Sequence, residues 1–80
     1  MNQTAKKLEE LSILDLEVTE DFLTAKISDG RSVSIPIAWF PRLMDAQADQ
    51  LSNYEVSPSG YGVHWPDLDE DISIKAFINP

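Results

Sequence analysis

The sequence predicts a small α+β domain: a sheet of four to five short, mainly antiparallel strands with two to three short helices. Three observations carry that expectation. Apolar residues alternate with polar ones at 14–18, 23–27 and 33–35, and again at 61–65, the period of half-buried strands. A Ser28-Asp29-Gly30 turn signal joins the second and third of these runs. The stretch between the two strand-rich ends, 37–53, is apolar without alternation and carries Pro41, which suits a first helical turn. Strands at both ends around a helical middle form an α+β arrangement rather than a β-α-β alternation.

Residues 1–12 read as an arm or short helix. Asn2 or Thr4 offers a cap and Leu8 and Leu11 one i,i+3 contact. A helix this short holds only by docking. The single α+β domain is expected over 13–80. In the first strand Leu14, Leu16 and Val18 are expected on one face, with Asp15 and Glu17 on the other. Thr19-Glu20-Asp21 turns the chain, and Leu23, Ala25 and Ile27 face inward from the next strand. The loop that follows fixes the register. A two-residue Asp29-Gly30 loop would put the apolar residues of the paired strands on opposite faces. A three-residue Ser28-Asp29-Gly30 loop sets Ala25 opposite Val33 and Leu23 opposite Ile35, so the apolar sets coincide. Gly30 then takes the left-handed position of a turn with a bulge, where valine would be strained.

Pro36 marks an edge strand or a strand end. After Pro41, Trp39, Phe40, Leu43 and Met44 are expected to share a helix face, and a second short helix is expected from about Ala48 to Asn53. Tyr54 and Val56 begin a strand, and Ser57-Pro58-Ser59-Gly60 turns. Tyr61, Val63 and Trp65 alternate with Gly62 and His64, and Gly62 signals a bulge or a close backbone approach. Beyond Pro66 and the acidic run 67–71, Ile72 starts a short strand or turn. Ser73 caps a last helical turn through Phe77.

Composition narrows function. A chain of 80 residues buries about 60–65% of the surface its unfolded form exposes, so any cleft is shallow or completed by another chain. Cysteine is absent and no apolar stretch follows Lys6 and Lys7, which points to the cytoplasm and away from a signal peptide. No run approaches the roughly 18 apolar residues of a membrane span. Fourteen acids against six unclustered bases give a net charge of −8, which argues against phosphate neutralisation and so against direct nucleic-acid binding. Such a surface suits a basic protein partner, or serves solubility alone.

The candidate sites are few. Carboxylates at Asp67, Asp69, Glu70 and Asp71 could wrap a hard cation. The spacing fails as a calcium loop, however, with Ile72 where glycine is needed and Ile78 where the closing glutamate belongs. The plain alternative is a solvated loop whose charges favour the following helix start. His64 is the sole histidine, and zinc would need further ligands without any cysteine. No nucleophile-elbow motif accompanies the serines. No catalytic residue, cofactor or metal site is therefore assigned. Two tryptophans are generous for this core, so Trp39 or Trp65 is expected as an exposed interface anchor, with Arg42 on its rim.

The stretches Ser28-Asp29-Gly30-Arg31-Ser32-Val33-Ser34-Ile35-Pro36, Trp39-Phe40-Pro41-Arg42-Leu43 and Gly60-Tyr61-Gly62-Val63-His64-Trp65-Pro66-Asp67-Leu68-Asp69-Glu70-Asp71-Ile72-Ser73 resemble the bacterial domain-of-unknown-function family 2442 over roughly residues 13–78. The resemblance implies a small α+β domain without a known catalytic activity. Family members are often encoded beside a second small protein, in an arrangement similar to toxin–antitoxin pairs. Some carry a helix-turn-helix domain after this one; the chain here ends at Pro80 without it, so a DNA-binding role is not expected.

Two readings follow. The first is a non-enzymatic protein-interaction module, the antitoxin-like member of such a pair. Its contact surface would be Trp39 or Trp65 with Arg42, His64 and the acids Asp67, Asp69, Glu70 and Asp71. Its partner would be a basic protein encoded nearby, and a homodimer through the edge near Pro36 or the aromatic patch is a further expectation. The second is a small ligand- or metal-binding, or enzymatic, domain using His64 and the acidic loop 67–71.

Overall fold

The computed structural model describes residues 11–78. In chain order the elements are β1 (Ile13–Val18), β2 (Phe22–Ile27), β3 (Ser32–Pro36), a 3-10 turn (Ile37–Trp39), α1 (Pro41–Met44), α2 (Ala48–Ser52), β4 (Glu55–Val56), β5 (Gly62–Trp65), β6 (Glu70–Ser73) and α3 (Lys75–Ile78). The class is α+β. The strands do not join in one sheet of four to five. They form two antiparallel three-stranded sheets, β1-β2-β3 and β4-β5-β6. Each sheet is a run of local hairpins, and the helical stretch 37–52 separates them, so the strands of one have no ladder to the other. One backbone bond and one side-chain bond join them instead: Ile13 N–H donates to the Gly60 carbonyl at 2.7 Å, and the Tyr54 hydroxyl donates to the Leu16 carbonyl at 2.8 Å.

The β2–β3 register is that of the three-residue loop. Ala25 faces Val33 and Leu23 faces Ile35, Ile27 N–H bonds the Arg31 carbonyl at 2.8 Å, and Gly30 has φ of 101°. In β1 the expectation fails at Leu14, which is 61% exposed while Ile13 and Leu16 are buried. A bulge causes this. Pairing steps from Ile13–Ile27 to Asp15–Lys26, and Leu14 is the extra residue turned outward. The Asp15 carboxylate stabilises the step by accepting from Leu16 N–H at 2.9 Å.

The middle segment also departs from a single amphipathic face. Phe40 is extended (φ −125°, ψ 93°) between the 3-10 turn and α1, so the helical path breaks there. Ile37 and Leu43 enter the core, whereas Trp39 and Met44 are exposed. α2 begins with a capping box between Gln47 and Gln50. Tyr61 is likewise exposed, because β5 starts one residue later, at Gly62, and only Val63 and Trp65 point inward.

The core is wholly apolar among the described residues. β1, β2 and β3 contribute Ile13, Leu16, Leu23, Ala25, Ile27 and Ile35; the second sheet contributes Val63, Trp65 and Ile72; Ile37, Leu43, Ile74 and Phe77 close it. The expected N-terminal arm lies outside the described residues as far as residue 10; Leu11, at its end, belongs to the core. Ser73 sits one residue before the N-cap position of α3, Ile74, and its hydroxyl accepts from the first helical N–H, that of Lys75, at 2.9 Å. No helix of the described residues is long and apolar enough to cross a membrane.

Candidate interaction face

The outer face of the second sheet is set by register. Glu55 lies opposite His64 on one side, and Asp71 lies opposite His64 on the other. Directly opposed residues of antiparallel strands point to the same face, so one row across the sheet reads carboxylate, imidazole, carboxylate. His64 Nδ1 meets Asp71 Oδ1 at 2.8 Å, with both side chains open to solvent. An exposed pair of this kind contributes about 0–1 kcal/mol. Its consequence is orientation: the ring is held, and Nε2 is left without a partner among the described residues.

Beside the row is a shallow groove of about 410 Å³ between residues 55–58, 61–64 and 71–73. Its floor is backbone at Gly62, where a Cβ would lie 2.8 Å from the Ile72 carbonyl oxygen. The close approach read from Gly62 is therefore real, and no bulge accompanies it. Pro58 and Tyr61 contribute to the walls, and no Lys or Arg lines the groove. The Ser57 hydroxyl shapes its end by accepting from Tyr61 and Gly62 N–H at 2.9 and 3.2 Å. Gly60 (φ 73°) closes the same loop against β1; a Cβ there would sit 2.5 Å from Ser12 Cβ.

The first part of the acidic run, 67–69, lies in the hairpin turn joining β5 to β6, and Glu70 and Asp71 open β6. Leu68 N–H bonds the Trp65 carbonyl at 3.2 Å, with Pro66 as the second residue of that turn. Asp69 then takes a left-handed conformation, φ 51°, which aspartate tolerates better than most residues. Arg42 reaches over from α1 and donates to the Leu68 and Asp69 carbonyls at 3.3 and 3.0 Å. Asn53, past the end of α2, donates to Asp67 at 2.9 Å. The turn is thus tied to both helices, and its carboxylates stay at the surface.

Of the eight residues singled out from sequence, Trp65 is fully buried. Its Nε1 donates to the Leu51 carbonyl at 3.0 Å, and its ring tilts against Tyr54 at 5.8 Å. Trp65 therefore is no surface anchor; Trp39, 53% exposed, is the tryptophan left outside. Arg42 clamps the acidic turn. His64 and Asp71 meet, whereas Asp67 pairs with Asn53. Among the described residues no three His, Asp or Glu side chains converge as a metal site. Nothing in the sequence marks Glu55, because its two-residue strand gives no periodicity from which a register could be read.

The model of a protein family of unknown function, DUF2442, matches residues 2–80. The chain belongs to this family. Among solved structures, the DUF2442 chain is similar to a protein of unknown function from Rhodospirillum rubrum, at 25% identity and a TM-score of 0.71 over 86% of each chain. It is also similar in fold to an uncharacterised protein from Chromobacterium violaceum, at 23% identity and a TM-score of 0.67. That likeness covers 84% of the DUF2442 chain and 63% of the other. No curated protein matches the chain.

Proposed function

We propose that this DUF2442 domain is a protein-interaction module that offers the outer face of its second sheet to a basic protein partner. The observation that carries the reading is the row Glu55–His64–Asp71 beside a groove free of Lys and Arg. A carboxylate on either side of His64, with a largely apolar trough next to them, suits a Lys or Arg side chain, whose stem covers apolar surface while its head meets one of the acids. The acidic turn 67–70 and exposed Trp39 extend the same kind of surface, and Arg42 holds their elements together. The antitoxin-like half of a two-protein pair is the specific form of this reading. It rests on the family resemblance, and neither solved relative adds to it. The reading assigns the chain no catalytic step and places it in the cytoplasm.

Affinity capture from the source cell tests it, using tagged wild type against a folded Glu55→Lys, Asp71→Lys double variant. The expected result is one stoichiometric basic protein, released by salt and lost on the double variant. Equal capture by both, or an acidic partner, contradicts the reading. One observation favours a second reading as a small-ligand site: His64 lines the groove, and Asp71 holds its Nδ1. A metal-dependent rise in melting temperature, abolished by His64→Ala, would favour that reading instead.

A further inference from the structure

We propose that β3 is a self-pairing edge, through which two copies of the chain join their first sheets into one six-stranded sheet. Ile27 N–H bonds the Arg31 carbonyl at one end of the β2–β3 pair, and Ile37 N–H bonds the Asp21 carbonyl at the other. Hydrogen-bonded and non-bonded pairs alternate along an antiparallel ladder. Ala25–Val33 and Leu23–Ile35 are therefore the bonded pairs between these ends, and Lys26–Ser32, Thr24–Ser34 and Phe22–Pro36 are the non-bonded ones. The N–H and C=O groups of Ser32 and Ser34 consequently point away from β2. They have no backbone partner among the described residues, and both serines are exposed. Pro36 sits at the third outward position, where its missing N–H costs the ladder nothing.

This edge is self-complementary. Set two copies of β3 antiparallel about a two-fold axis at Val33, and Ser32 of each copy falls opposite Ser34 of the other. Both outward residues then give and receive a hydrogen bond, and the half-exposed Val33 side chains meet at the axis. Pro36, which cannot donate, falls outside the paired stretch.

Charge selects a second copy over a charged partner. Natural edges are commonly guarded by charge, yet β3, Ser-Val-Ser-Ile-Pro, carries none in a chain of net charge −8. The adjoining turn is neutral as well, because Asp29 and Arg31 pair at 2.8 Å. Two copies can therefore approach here without opposing their acidic faces. The second sheet, which carries the proposed partner face, remains free, so this inference stands apart from that one.

Sedimentation velocity on the full chain tests the pairing at about 0.5 mM, where even weak association is populated. The wild type should sediment at twice the 9.0 kDa chain mass. Ser34→Pro removes an outward N–H and no ladder bond, so it should stay folded and sediment as a monomer. Ser34→Ala, which loses only the 2.7 Å hydroxyl contact with Thr24, should remain dimeric. A second monomeric variant is Ser32→Asp with Ser34→Asp, which opposes like charges across the axis. A monomeric wild type, or a dimer that survives in either folded edge variant, overturns the proposal. So does protection of the Ser32 and Ser34 amides that appears only when a different protein is added.

Discussion

Single residues decide where this chain is brittle, and two glycines make the contrast. At Gly30 a Cβ would meet nothing within 4 Å, so the only cost of alanine is the positive φ, about 1–2 kcal/mol. At Gly60 the same backbone cost is joined by collision with Ser12 and with the Ile13 backbone, and overpacking adds about 1–3 kcal/mol. Urea denaturation should therefore rank Gly60→Ala well below Gly30→Ala; equal losses would contradict the close approach. The tryptophans divide in the same manner. Acrylamide should quench Trp39 and spare Trp65. Trp39→Phe should change stability by less than about 0.5 kcal/mol. Trp65→Phe, which loses the indole bond to Leu51 and leaves a void, should cost about 2 kcal/mol. The sequence does not separate the two tryptophans, since alternation puts Trp65 on one face with Val63 without showing which face of that strand meets the core.

At the scale of the element, the hairpins follow local chemistry, and most of that chemistry is written in the residues. The β2–β3 register was legible because only one loop length puts Leu23, Ala25, Val33 and Ile35 on one face. The β1 bulge was not, because Ile13, Leu14, Leu16 and Val18 are all apolar and fit either register. The Ser28–Gly30 loop has a pH signature. The Arg31 backbone N–H on the Asp29 carboxylate, with the Arg31 guanidinium beside it, lowers the Asp29 pKa from its ordinary value of 3.8. A lowered folded value means that the contribution is present above pH 3.8 and is lost as pH falls through the folded value. An Asp29→Asn variant should accordingly unfold in acid with a shallower dependence on pH below that point. The effect is small, because the pair is exposed. The β5–β6 turn depends instead on a distant group. Arg42→Ala should cost about 1 kcal/mol and raise hydrogen exchange at 67–70. Both bonds come from the single nitrogen Nη1, so Arg42→Lys, whose ammonium also carries several donors on one nitrogen, should recover part of the loss.

On the scale of the whole molecule, composition and patterning indicated the α+β class, while the number of sheets depended on contacts they do not encode. Gly60 to Ile13 and Tyr54 to Leu16 span more than thirty residues and join two sheets where one was expected. The Leu16 bond has its own consequence. Burial and the nearby Asp15 raise the Tyr54 pKa above 10.0. A raised folded value means that stability is full below pH 10.0 and declines as pH rises toward the folded value. Tyr54→Phe should remove that alkaline decline and cost about 1 kcal/mol at neutral pH. The candidate face was legible only in part. His64 and the acids were visible, but Glu55 joins them through a strand pairing too short to read, and Tyr61 joins through the loop that precedes β5. The wide excess of acid over base on the surface is what the proposed recognition of a basic partner rests on.

The most direct test of that claim is amide hydrogen exchange on the chain, free and in complex with the partner it captures. The account predicts new protection at His64, Asp71 and the Tyr61–Gly62 backbone, with the β2 amides unchanged. Protection confined to the first sheet, with the Glu55–His64–Asp71 row exchanging as in the free chain, would contradict it.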